Sequence, residues 1–72
     1  MKKDIYKIFG NNVRKYREEK ELTLKELSFL SKINIKYLIK IEKGEAKRIT
    51  TRHIFTLAKA LKIQPYKLVI GL

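Results

Sequence analysis

Apolar residues recur at spacings of three and four along almost the whole chain, and no segment alternates apolar with polar residues long enough to argue for a strand. That periodicity constrains the fold more tightly than any other feature, and it predicts an all-α protein. The 72 residues include no cysteine, so neither a disulfide nor a thiolate metal site can supplement the core. Apolar packing between helices must hold a domain that buries only about 60% of its unfolded surface. One proline and three glycines leave no room for a linker, and no repeat is visible. Residues 1–72 therefore read as a single domain.

Capping signals divide the chain into five helices. Helix 1 is expected from about Asp4 to Lys20, with Ile5, Phe9, Val13 and Tyr16 on one face. Gly10, inside it, costs about 1 kcal/mol against alanine; it either permits close approach of another helix or is merely tolerated. Thr23-x-x-Glu26 is a capping box, and Leu22 and Leu27 are spaced as a hydrophobic staple around it. This second helix, with Leu24, Leu27 and Leu30 as its apolar residues, should end near Leu30. After only Ser31-Lys32-Ile33, Asn34 is a good N-cap for a third helix. Ile33 and Leu38 form its staple, and Gly44 is its expected stop. Helix 4 is predicted from Thr50 or Thr51 to about Lys62, with Ile54, Leu57, Ala58 and Leu61 inward. Pro65 suits the first position of a short fifth helix, stapled by Ile63 and Leu68, although Gln64 is a poor cap.

The formal net charge is +11. Such a charge repels itself in a compact fold, a cost that is easier to understand if the partner is a polyanion. The excess is densest in residues 31–52, which carry seven basic and two acidic side chains. Nucleic acid and an anionic membrane surface are the polyanions to weigh. No stretch approaches the roughly 20 apolar residues that span a bilayer. Met1-Lys2-Lys3-Asp4, followed by an apolar patch broken at Lys7, is not a signal peptide. A cytoplasmic protein is expected. The caps and staples favour a preformed globule over a membrane-active peptide.

Two short helices joined by a tight turn have helix-turn-helix spacing. On the third, Tyr37, Leu38, Ile41 and Glu42 share one side, and Ile35, Lys36, Ile39, Lys40 and Lys43 share the other. Lysines can reach phosphates or guanine acceptors, and isoleucine can pack on thymine methyl groups, so the second face suits a major groove. A merely solvated helix also presents lysines, and the two isoleucines equally suit a protein groove, as in an antitoxin or adaptor. Chemistry of other kinds is poorly supplied. His53 is the single histidine and makes no metal set. Ser28 and Ser31 have no adjacent base, and no glycine loop cradles a phosphate. Neither an enzyme nor a cofactor is expected.

Four stretches carry a family resemblance by their order and spacing. They are Gly10 to Lys20 (GNNVRKYREEK), Leu22 to Leu27 (LTLKEL), Leu38 to Gly44 (LIKIEKG) and Leu57 to Leu61 (LAKAL). With them the region from about Phe9 to Val69 resembles the phage-repressor family of helix-turn-helix regulators, the five-helix type that includes Cro and restriction-modification controller proteins. The resemblance implies a compact five-helix DNA-binding domain that reads duplex DNA as a homodimer. It implies base contacts from Ile35, Lys36, Ile39 and Lys40. Phosphate contacts would come from Lys25, Lys43, Lys47 and Arg48, with Arg52 a weaker candidate. Thr23 at the start of helix 2 and Asn34 at the start of helix 3 would also touch the backbone. Glu42 lies in the last turn of helix 3, where the macrodipole disfavours a negative charge, and the resemblance supplies Arg17 of helix 1 as its partner. Three positions depart from the family. Leu24 stands where many members carry a phosphate-binding glutamine. Ser28 replaces an alanine. Lys32 replaces the glycine of the turn, where a left-handed lysine costs roughly 1–2 kcal/mol. Tyr66, Val69, Ile70 and Leu72 are candidates for the dimer interface.

Overall fold

Each α-helix begins where a side chain can accept a hydrogen bond from the otherwise unpaired N–H groups of its first turn. The computed structural model describes residues 4–72; Met1 to Lys3, on which the signal-peptide reading partly rests, lie outside the described residues. Asp4 caps α1 (Ile5–Glu19), its Oδ1 accepting from the Lys7 N–H at 3.1 Å. Thr23 and Glu26 cap α2 (Leu24–Ser31) reciprocally, at 3.0 and 2.8 Å. Asn34 caps α3 (Ile35–Lys43), accepting from the Lys36 N–H at 2.8 Å. Thr50 caps α4 (Thr51–Leu61), accepting from the His53 N–H, and His53 Nδ1 accepts from the Thr50 N–H in return, both at 3.3 Å.

The expected fifth helix is instead a single 3₁₀ turn, Pro65–Leu68. Gln64 provides no side-chain cap, so nothing offsets the cost of nucleating an α-helix in four residues. The turn still seats Leu68 in the core. Among the described residues the fold is thus four α-helices and one 3₁₀ turn. None of the helices among the described residues is long and apolar enough to cross a membrane.

The core gathers Phe9 and Val13 from α1, Leu27 from α2, Leu38 and Ile41 from α3, and Leu57, Ala58 and Leu61 from α4. Ile33, in the α2–α3 turn, Ala46, after α3, and Leu68 of the 3₁₀ turn complete it. The turn is fastened by two serines. Ser28 Oγ donates to the Ile33 carbonyl at 2.5 Å, and buried Ser31 Oγ accepts from the Ile33 N–H at 3.3 Å. Lys32 between them is left-handed, at φ 59°. The chain end is held against α1 by Asn12, whose Nδ2 donates to the carbonyls of Leu68 and Ile70, each at 2.9 Å.

Two glycines set how closely α1 and α3 approach. Gly44 ends α3 at φ 76°, and a Cβ there would also lie 2.9 Å from the Lys7 Cα. At Gly10 a Cβ would collide with the main-chain carbonyl of Ile41 and lie 3.0 Å from that of Glu42. Close approach of α3 is therefore the reason for a glycine inside α1. Helix propensity alone would make Gly10→Ala stabilising by about 1 kcal/mol. The carbonyls cannot step aside without parting the helices, an overpacking cost of about 1–3 kcal/mol or more. Gly10→Ala is expected to lower the melting temperature by about 5–10 °C, as followed by circular dichroism. A melting temperature that rises would show that propensity outweighs the contact.

Candidate nucleic-acid interface

Helix α3 presents two chemically distinct sides. Leu38 and Ile41 are fully buried and Tyr37 is half-buried. Lys36, Lys40 and Lys43 are exposed, Ile35 is exposed, and Ile39 is half-buried. The cations and isoleucines thus form one outward strip on a helix that is anchored by its other side.

Glu42 is the only carboxylate of α3, and it is withdrawn from that strip. Arg17 Nε donates to Glu42 Oε2 at 2.7 Å, and its second terminal nitrogen to Oε1 at 3.1 Å. The side chains are only 13% and 8% exposed. The remaining guanidinium nitrogen donates to the Leu22 carbonyl at 2.8 Å. One planar fork therefore joins α1, the connection into α2, and the end of α3. The hydrogen bond to Glu42 pushes the Arg17 pKa above its ordinary value; burial opposes this, and the charges of Glu42 and then Glu18 reinforce it. The guanidinium is charged throughout the neutral range.

At the start of α2, the Thr23 hydroxyl is committed to the Glu26 N–H. The N–H groups of Leu24 and Lys25 precede the first intrahelical bond and face no such demand. Lys25 is exposed beside them, while Leu24 packs against the core. At the start of α3, Asn34 accepts through Oδ1, which leaves its amide N–H₂ for another acceptor.

Residues 45–50 run alongside α3 and are tied to it. The Tyr37 hydroxyl donates to the Arg48 carbonyl at 2.6 Å, and the Tyr37 ring lies 5.3 Å from that of His53. Lys47 is drawn the other way, its Nζ lying 4.7 Å above the Tyr6 ring of α1. The structure therefore unites Ile35, Lys36, Ile39, Lys40 and Lys43 on one helix face. Thr23 and Lys25 sit at the start of the neighbouring helix, Arg48 on the loop bonded to α3, and Lys47 against α1. No three His, Cys, Asp or Glu residues among the described residues could hold a metal ion.

Several contributors escape the sequence reading. Tyr37 positions the basic loop as well as packing inward. His53 closes a capping box with Thr50, and the Thr-x-x-His spacing was a visible signal for it, with histidine in the usual place of Glu or Gln. The Ser28 and Asn12 bonds to carbonyls had no local signal.

Comparison with known proteins gives a consistent picture. The family model described as helix-turn-helix matches residues 13–68. The restriction-modification controller protein C.AhdI from Aeromonas hydrophila is similar in structure, with a TM-score of 0.83 and 33% identity, over 88% of this chain and 94% of that one. The clp gene regulator ClgR from Corynebacterium glutamicum is also similar in two structures, each 26% identical over 92% of this chain. Their TM-scores are 0.84 and 0.85, with 84% and 69% of those chains covered. Among curated protein sequences no significant match is found.

The Arg17–Glu42 joint has a measurable consequence. Glu42→Ala strands a guanidinium that is mostly out of water, and breaking such a buried pair costs on the order of 3 kcal/mol. In a chain of this length that is a drop of more than about 10 °C in Tm. Arg17→Ala is expected to cost about as much. The double variant should lose clearly less than the two single losses added together. Additive losses, or an unchanged melting temperature, would remove the pair from its positioning role.

Proposed function

The chain belongs to the helix-turn-helix family of sequence-specific DNA-binding transcription regulators, and from that premise we propose that it reads duplex DNA as a symmetric dimer with α3 in the major groove. One observation carries the proposal. The outward strip of α3 holds three lysines with exposed Ile35 and half-buried Ile39, while the helix's single carboxylate is turned inward and neutralised by Arg17. A surface of that composition meets phosphate and guanine acceptors with cations and thymine methyl groups with aliphatic carbon, and sets no negative charge against the polyanion.

In this reading Ile35, Lys36, Ile39 and Lys40 contact base edges. Lys25, Lys43, Lys47 and Arg48 contact phosphates, joined by the helix starts at Thr23 and Asn34, where free N–H groups and the positive ends of helix dipoles favour an anion. Leu24 offers no hydrogen bond, so the α2 contact falls to main-chain N–H groups and Lys25. No side chain is assigned a catalytic role. Dimerisation places two α3 helices about 34 Å apart, one turn of duplex. Tyr66, Ile70 and Leu72 support it: all three are exposed apolar side chains near the chain end that Asn12 fastens to α1. Val69 is half-buried and packs against the core, so less of it is left for a partner.

Selection of bound fragments from a random duplex library, followed by titration of the selected sequence, tests the reading. With six to ten phosphate contacts, affinity should fall about 10³–10⁵-fold between 50 and 200 mM salt. Lys36→Ala and Lys40→Ala should weaken the selected duplex more than random DNA. A flat salt response would exclude a phosphate-binding role, and equal losses on both duplexes would move the two lysines from base reading to backbone contact.

A further inference from the structure

A second surface centres on residues to which that reading gives no DNA contact. Phe29 of α2 is 83% exposed, Phe55 of α4 is 56% exposed, and Leu30 is 51% exposed. Leu30 is one of the apolar residues of α2, but the structure buries Leu27 and Ser31 and leaves Leu30 exposed. Two of the three phenylalanines of the chain therefore face solvent. They are parts of one feature. A cleft of about 790 Å³ runs between the end of α2 and the outer side of α4, with Leu30, Phe55 and Ala60 among its walls. A shallower depression holding Phe29 adjoins it, and Leu30 and Lys32 line both.

The rim is cationic. Lys20, Lys32, Lys59 and Lys62 line the cleft, and no carboxylate does. Lys32 and Lys62 stand at φ 59° and 56°, where glycine would sit without strain. The chain thus presents cations at two rim positions where the backbone favours a different residue.

We propose that this cleft docks an amphipathic acidic helix belonging to another protein. An apolar floor edged by lysines is complementary to apolar residues flanked by carboxylates. A second copy of this surface is a poor occupant, because two-fold pairing would set lysines against lysines. A phosphate backbone would gain nothing from phenylalanine and leucine. The occupant is helical because no strand edge is offered among the described residues. In an apolar cleft its backbone groups must be satisfied internally, and such helices seat anchors at i, i+3, i+4 and i+7. The main cleft shares no residue with those assigned to base or phosphate contact; the adjoining depression reaches Asn34 at its edge, so duplex affinity is measured beside peptide binding.

The test uses a fluorescent designed helix of about 15 residues, with leucines at the anchor positions and glutamates on both flanks. A control peptide carries lysine in place of every glutamate. Fluorescence anisotropy should show the acidic peptide binding and the basic one not. Amide shifts in nuclear magnetic resonance spectra should cluster at Leu30, Lys32, Phe55 and Lys59. Phe29→Ser and Phe55→Ser remove exposed rings, so their melting curves should stay close to that of the parent. Together they should weaken the acidic peptide at least tenfold. Lys59→Glu with Lys62→Glu should move the preference toward the basic peptide. Equal binding of both peptides, no binding of either, or shifts elsewhere on the surface would overturn the proposal. A smaller mass in sedimentation for Phe29→Ser would assign the cleft to a second copy instead. A loss of duplex affinity in that variant would assign it to DNA.

Discussion

The position of α3 depends on one joint, the seam between α1 and α3. It is fastened at three heights. Lys7 meets Gly44 at one end, Gly10 lets the Ile41 and Glu42 carbonyls rest against α1 in the middle, and Arg17 grips Glu42 beyond. Each contact depends on the others. Without the glycine at position 10 the helices could not lie close enough for a 2.7 Å bond from Arg17 to Glu42. Without Arg17, a carboxylate at the negative end of α3 would be left mostly out of water. Buried ion pairs are weak sources of net stability compared with well-packed apolar groups. What this one supplies is geometry. Its third bond, to the Leu22 carbonyl, also fixes where the chain enters α2, so one guanidinium sets the relation of both helices of the motif to α1.

The parts of this design that were legible in the sequence are the local ones. Caps and staples work within a few residues, so Thr23 with Glu26, Asn34, and Gly44 marked their helix ends directly. The α3 strip followed from helical periodicity, which fixes which side chains share a face once the boundaries are known. The Arg17–Glu42 contact came from a charge in an unfavourable place on α3, joined to a family resemblance that named its partner. The illegible parts are set by tertiary placement. Asn12 bonds carbonyls 56 and 58 residues away, and Tyr37 bonds one eleven residues away; polar side chains give no pattern for such partners. The fifth element kept its proline signal and its buried leucine, but its hydrogen-bonding type turned on a missing cap in a stretch of four residues.

Phe29 shows the same boundary from the other side. In an eight-residue helix, Leu24, Leu27, Phe29 and Leu30 offer more apolar residues than one face can hold. Periodicity alone cannot say which of them the rest of the protein will cover. Packing against α3 and α4 decides, and it takes Leu27 fully and Leu24 in part. The surplus apolar surface becomes visible only when the whole fold is assembled.

Two exposed apolar groups, the chain end and the α2–α4 cleft, differ in what surrounds them, and charge then separates their partners. The chain-end group of Tyr66, Ile70 and Leu72 has Lys67 as the single charged residue in the sequence after Lys62, so a second copy can approach it at little electrostatic cost. The α2–α4 cleft repels a copy of itself through four lysines. A chain of net charge +11 pays for its compactness in self-repulsion, and a ligand that binds only the folded form stabilises it by mass action. Both proposed ligands outside the chain, a duplex and an acidic helix, are anionic. Each would relieve the repulsion that the isolated domain carries, so folding and ligand binding are thermodynamically linked through the same excess of lysine. The strip on α3 and the α2–α4 cleft would then be two ways of neutralising one charge imbalance.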